Sequence, residues 1–155
     1  MLNLGQFDKV VTDILTKAKV YSDSAKVLLI GTCDIESNLG TYLYQINGPA
    51  LGIYQLEPAT HDDIILNYLK YNPIYMDYIK TIAVNQNPNQ LITNLTYSTL
   101  MCRFHYMRVR QALPAVNDAA GMAAYHKKYY NTTQGKTNIN QSIMIFKNII
   151  TQLGV

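Results

Sequence analysis

Glu36 closes a run of apolar residues, KVLLIGTCDIES, and the segment PALGIYQLEPATHDDI follows a short way on. The stretch from Ala25 to Ile30 is apolar on nearly every side, which predicts a buried helix rather than one lying on the surface. A carboxylate at the C-terminal end of such a helix faces the negative end of the helix dipole among neighbours that exclude water. Both effects disfavour the ionised form and raise the carboxyl pKa. A raised pKa suits a general acid, and Glu36 is the candidate.

The other chemistry-bearing side chains have simpler readings. His61 falls in a first helical turn between Thr60 and Asp62, where surface or capping roles are usual. His105 lies in an apolar helical stretch and reads as a core or cleft-wall histidine. His126 is followed by Lys127 and Lys128 and is expected to face solvent. The histidines lack metal-ligand spacing, and neither Cys33 nor Cys102 is near one in sequence, so no metal site is expected. The two cysteines lie within apolar helical patterns and are expected as buried thiols rather than a bridge. Arg103, Arg108 and Arg110 fall on different faces of a helix and do not read as one anion clamp. Most of the 13 tyrosines must pack with a wet hydroxyl, while some suit a sugar groove.

The 155 residues are enough for one domain with its own core. Nearly half of them are apolar and 15% are charged, a globular rather than disordered balance. A scattered net charge of +3 gives no argument for nucleic acid but permits approach to an anionic polymer such as a cell wall. The N-terminus shows no basic leader with a long apolar core, and no segment is apolar for long enough to span a bilayer. Synthesis without a signal peptide and no stable membrane insertion are therefore expected.

Helical periodicity organises the chain. Phe7, Val10, Val11, Ile14, Leu15 and Ala18 predict an amphipathic first helix. Ser22 caps a second that runs to Glu36. From Asn38 to Glu57 the pattern breaks at Gly40, Gly48, Pro49 and Gly52, predicting a loop or small strand pair. Thr60 with Asp63 resembles a capping box opening a third helix through Tyr71, and a short helix follows from Pro73. Leu91 to Gln111 reads as one central helix ended before Pro114. Asn117 to Tyr130 and Asn138 to Leu153 give two more, separated by the polar loop NTTQGKT. The fold class is mainly α, a single domain over residues 1–155 with about seven helices and a small loop or β-hairpin region near residues 38–57.

Glu36-Ser37 at a helix end, followed by Ala50-Leu51-Gly52-Ile53-Tyr54-Gln55-Leu56-Glu57-Pro58-Ala59-Thr60, resembles the lysozyme-like superfamily, within it the soluble lytic transglycosylases and phage endolysins. In that family a Glu-Ser pair precedes a Gly-apolar-apolar-Gln segment that leads into a Pro-x-Thr helix start. Gly52, Gln55, Pro58 and Thr60 match it. A Tyr-Asn pair late in the family's domain lies near the acid, and Tyr130-Asn131 is the candidate match. The resemblance covers roughly residues 22–135 and implies a lysozyme-like domain. It implies that Gly52 lets backbone approach the sugar, that Gln55 hydrogen-bonds near the acid, and that Tyr130 or Asn131 orients the substrate's N-acetyl group or Glu36. Ser37 and Tyr54 join them as candidate substrate-binding residues.

Glycoside cleavage needs an acid on the leaving oxygen and usually a second carboxylate. Between Ser37 and Leu56 there is no Asp or Glu. Asp34 projects from nearly the opposite side of the Glu36 helix. Glu57, Asp62 and Asp63 belong to the next helix start, where acidic residues commonly oppose the dipole. The shortage favours the one-carboxylate mechanism of lytic transglycosylases. There Glu is first acid and then base, the N-acetyl group assists, and the sugar's own 6-hydroxyl displaces the leaving group to leave a 1,6-anhydromuramic end.

Hydrolytic lysozyme chemistry would be restored should Glu57, Asp62 or Asp63 fold back to face Glu36, with Glu57 the foremost candidate second carboxylate. The expected activity is thus cleavage of the MurNAc-GlcNAc β-1,4 bond without cofactor, by a monomer whose partner is the peptidoglycan glycan strand. A phage endolysin made in the host cytoplasm and acting on the wall after release is the leading expectation. A virion-borne hydrolase shares that chemistry, and a non-catalytic wall-binding protein of the same fold is the alternative.

Overall fold

The structure, a computed structural model, describes residues 1–130 and 137–155. Among these residues the fold is built of eight α-helices and one 3-10 turn, with no strand. Helix α1 (Leu4–Lys17) is capped by the Asn3 side chain, which accepts from the Gln6 N–H at 3.1 Å, and it buries Phe7, Val11, Ile14 and Leu15. Helix α2 (Asp23–Ser37) starts as expected, with Ser22 accepting from the Ala25 N–H. Every residue from Ala25 to Cys33 is buried, the pattern that its all-round apolar sequence predicts. The exception in chemistry is Lys26, whose ammonium pairs with Asp8 of α1 at 2.8 Å while its stem stays inside.

α2 is the axis of the molecule, with α1 and three later helices, α6 (Leu95–Met107), α7 (Ala119–Tyr129) and α8 (Ile139–Leu153), packed around it. Its contact with α8 depends on Gly31, where an added Cβ would lie 2.0 Å from Phe146 Cε1. One contiguous core draws buried residues from every helix, from Phe7 through Leu91 to Phe146.

Residues 38–57 form a compact loop rather than a hairpin. Asn38, Leu39 and Gly40 take left-handed conformations in succession (φ 51°, 48° and 77°) and turn the chain sharply off α2. Two isolated bridges, Tyr44 with Leu51 and Leu51 with Leu56, are the only β pairing among the described residues. Leu51 serves both, so the chain folds back twice before a ladder can extend.

Helix boundaries differ from expectation at four points. Helix α3 (Pro58–Asn67) begins with Pro58 in its first turn and Glu57 as N-cap, without a side-chain cap, so Thr60 and Asp63 form no capping box. It ends at Asn67, and Leu69–Tyr71 is a separate 3-10 turn before α4 (Pro73–Ile82). The single helix expected from Leu91 to Gln111 is two, α5 (Gln90–Thr93) and α6. Asn94 separates them: its backbone is extended, its side-chain oxygen caps the Tyr97 N–H at 3.1 Å, and its amide donates to the Ile82 carbonyl at 3.0 Å. α6 stops at Met107, well before Pro114. No described helix is long and apolar enough to cross a membrane.

Candidate functional site

Glu36 lies in the last turn of α2, its side chain 18% exposed, and its Oε1 sits 2.9 Å from Nε2 of His126 on α7. The His126 side chain is fully buried. That corrects the expectation that His126 faces solvent. Lys127 and Lys128 do point outward, but helix geometry turns residue 126 onto the face that it shares with Tyr130, four positions on.

That shared face builds an aromatic column beside the acid. His126 stacks on Tyr130 with ring centroids 5.6 Å apart, and Tyr130 stacks on Tyr106 of α6 at 5.3 Å. His105 meets the Tyr130 ring edge-on at 5.0 Å. The column is anchored in α2, because the Thr32 hydroxyl donates to the Leu28 carbonyl and so accepts from the Tyr106 hydroxyl at 2.7 Å. Burial, and to a lesser degree the Glu36 carboxylate, holds the Tyr106 and Tyr130 phenols and the Cys102 thiol in their protonated forms, each well above its ordinary pKa.

Tyr130 also fixes the loop that follows the acid. Its hydroxyl donates to the Tyr54 carbonyl at 2.6 Å. The Tyr54 ring is buried, with its hydroxyl donating to Thr99 at 3.3 Å, so this side chain offers no face to a sugar. Ser37 is likewise buried. Its oxygen accepts from the Gly40 N–H at 2.9 Å, and its proton lies between the carbonyls of Ile53 at 2.5 Å and Cys33 at 3.0 Å. Ser37 therefore pins the loop to the end of α2 rather than facing a ligand.

Gly52 has φ +76° as a turn glycine should, but the backbone it approaches is that of α5. A Cβ there would lie 2.0 Å from the Leu91 carbonyl oxygen. Gln55 is left-handed too (φ 46°), and its side-chain amide donates to the Gly52 carbonyl at 2.8 Å, closing the turn on itself. Glu57 is exposed as the α3 N-cap. Asn131 lies outside the described residues.

The remaining histidines are structural in their contacts. His61 is buried, contrary to the surface expectation, with one ring nitrogen 2.8 Å from Asp62 and the other 2.8 Å from the Tyr97 hydroxyl. His105 accepts from Arg108 at its Nδ1 at 2.6 Å, and Arg108 also pairs with Asp63 of α3. Burial first, then the Arg108 charge, pulls the His105 pKa down to about 4. The arginines separate as expected: Arg103 donates to the Val20 carbonyl at 3.0 Å, and Arg110 is exposed. Cys33 and Cys102 are both buried free thiols, and burial pushes Cys33 up to about 12. No group of three or more His, Cys, Asp or Glu among the described residues could hold a metal ion.

The arrangement brings Glu36, Tyr130 and the Gly52–Gln55 turn together and adds His126, which sequence reading missed. The signal was available, because a Tyr130 that faces the acid carries the residue four before it to the same place. Glu36 lines neither of two surface pockets, one lined by Ile35, Gln141 and Ile145 and the other by Leu66, Met76 and Lys80. Comparison with family models, with curated proteins and with solved structures finds no match.

Proposed function

We propose that the protein is a peptidoglycan-cleaving glycosidase of the lysozyme-like superfamily that acts on the MurNAc-GlcNAc β-1,4 bond with Glu36 as acid and then base. The observation that carries this reading is the position of Glu36. A carboxylate at the end of a helix that is buried from Ala25 to Cys33 keeps 18% exposure, and a histidine and a tyrosine 90 and 94 positions later in the chain converge on its surroundings. Surface carboxylates at helix ends do not usually have a fully buried imidazole committed to them.

The lytic transglycosylase form of the reaction is favoured over hydrolysis. Glu57, the candidate second carboxylate, is exposed at the N-cap of α3 and makes no hydrogen bond to Glu36. With one carboxylate, this reading assigns the nucleophile to the substrate's own 6-hydroxyl, and an anhydro end is its product. A phage endolysin released to the wall by another agent is the biological setting that we propose, acting as a monomer on glycan strands.

The test is incubation of purified protein with bacterial sacculi and mass spectrometry of the released muropeptides. Anhydromuramic ends are expected, whereas products gaining water would move the assignment to a lysozyme. Glu36→Gln should abolish release while its helical circular dichroism stays unchanged, because Gln still offers His126 an acceptor. Retained release by that variant would remove Glu36 from the chemistry.

A further inference from the structure

We infer that His126 is a positioning residue that presents the proton of Glu36 from its outer oxygen, Oε2. This inference rests on the proposed role of Glu36. The buried His126 Nδ1 has no hydrogen-bond partner among the described residues, while Nε2 lies 2.9 Å from Glu36 Oε1. A proton on Nδ1 would be a buried donor with no acceptor and would leave Nε2 with nothing to donate to the carboxylate, whereas a proton on Nε2 leaves only a ring lone pair unpaired. The ring therefore carries its proton on Nε2 and donates it to Oε1.

Two consequences follow from that one bond. The carboxylate is held in a single orientation by a ring that cannot turn, since His126 is fully buried and stacked on Tyr130. With Oε1 occupied by the imidazole N–H, the carboxyl proton belongs on Oε2. A proton delivered to a leaving oxygen leaves Oε2, and one recovered from the attacking hydroxyl returns there. His126 takes no proton in either step, because its only free position, Nδ1, would become the orphan donor. The ionisable groups that face the pair are Cys102 and Tyr106 of α6 and Tyr130, the C-cap of α7, all held protonated by burial. Lys147, the only ionisable side chain of α8, is exposed.

The test uses the full chain and two readouts. Long-range nitrogen NMR of the wild type near neutral pH should show His126 in the Nε2–H form, with that resonance displaced in Glu36→Ala. An Nδ1–H tautomer, an imidazolium, or an unmoved resonance overturns the inference. On solubilised glycan strands, His126→Phe keeps the stacked ring but loses the donor. It should lower kcat about 10- to 100-fold with little change in KM. His126→Gln, whose amide nitrogen can reach the Nε2 position, should recover much of that loss. A cleaving wild type with a Phe variant of equal kcat sinks the positioning role alone. A wild type that leaves the strands intact sinks the proposed function, and the positioning role with it, while the NMR still decides whether the pair exists.

Discussion

The Tyr130 hydroxyl donates to the Tyr54 carbonyl across 2.6 Å, tying the C-terminal cap of α7 to the loop after Glu36 over 76 residues of sequence. The bond is part-buried and involves a phenol that burial keeps protonated, so it persists through the alkaline range where a free tyrosine ionises. Tyr130→Phe removes the donor and keeps the ring stack. It should cost about 1–3 kcal/mol, because the Tyr54 carbonyl loses its partner in a place water reaches poorly. Denaturant unfolding measures the cost. Glycan cleavage should fall further than stability does, since the loosened loop borders Glu36.

Ser37 tells a substrate contact from a structural pin. Ser37→Ala leaves the Gly40 N–H and the Ile53 carbonyl without their shared partner, at a cost of about 1–3 kcal/mol. Since the hydroxyl is buried, KM for glycan strands should barely move while the melting temperature drops. A raised KM at unchanged stability would return Ser37 to the substrate-binding surface.

Gly52 and Gly154 share a left-handed backbone, with φ 76° and 69°, and differ in their surroundings. Gly154→Ala meets nothing within 4 Å and should cost about 1 kcal/mol of backbone strain. Gly52→Ala carries the same strain and drives its Cβ to 2.0 Å from the Leu91 carbonyl, which belongs to rigid backbone. It should cost more than about 2 kcal/mol by separating the loop from α5. Equal midpoints for the two variants in urea would contradict the close approach.

The buried core helix was legible because it depends on local pattern, whereas Tyr130 and the Gly52–Gln55 turn were set beside Glu36 by the family resemblance alone. Nine successive buried residues in α2 need an apolar surface all round, and the run before Glu36 supplies it. The break at Asn94 was not legible. Apolar periodicity continues on both sides of it, and what stops the helix is a side chain capping Tyr97 while its amide reaches the Ile82 carbonyl, a partner set by tertiary structure. The same holds for Gly52: the break in pattern there is a local property and was anticipated, whereas the α5 carbonyl above it is not local. His126 was misplaced because its lysine neighbours were weighed above its helical spacing from Tyr130. Ser37 at the end of α2 and Tyr54 in the loop were expected to face substrate, but their side chains turn inward.

His105 gives the fold a dependence on pH that is separable from any chemistry at Glu36. Its folded pKa, pulled to about 4 by burial and by Arg108, lies below the ordinary histidine value of 6.5. Between those two values the unfolded chain binds a proton that the folded chain refuses, so stability falls as pH drops from 6.5 toward 4 and levels off below. The full loss is on the order of 3 kcal/mol. Asp63, whose pKa is lowered by its hydrogen bond from Asn67 and by Arg108, adds a loss only as pH falls below the ordinary carboxylate value of 3.8, outside this window. Urea midpoints measured from pH 7 to pH 4 should therefore decline for the wild type. His105→Gln, which cannot titrate, should show a shallower decline over the same range even if it starts from a lower stability. Parallel slopes for the two proteins would mean that His105 takes up its proton as readily in the folded state as in the unfolded one, against the burial and the Arg108 contact that the structure places on it.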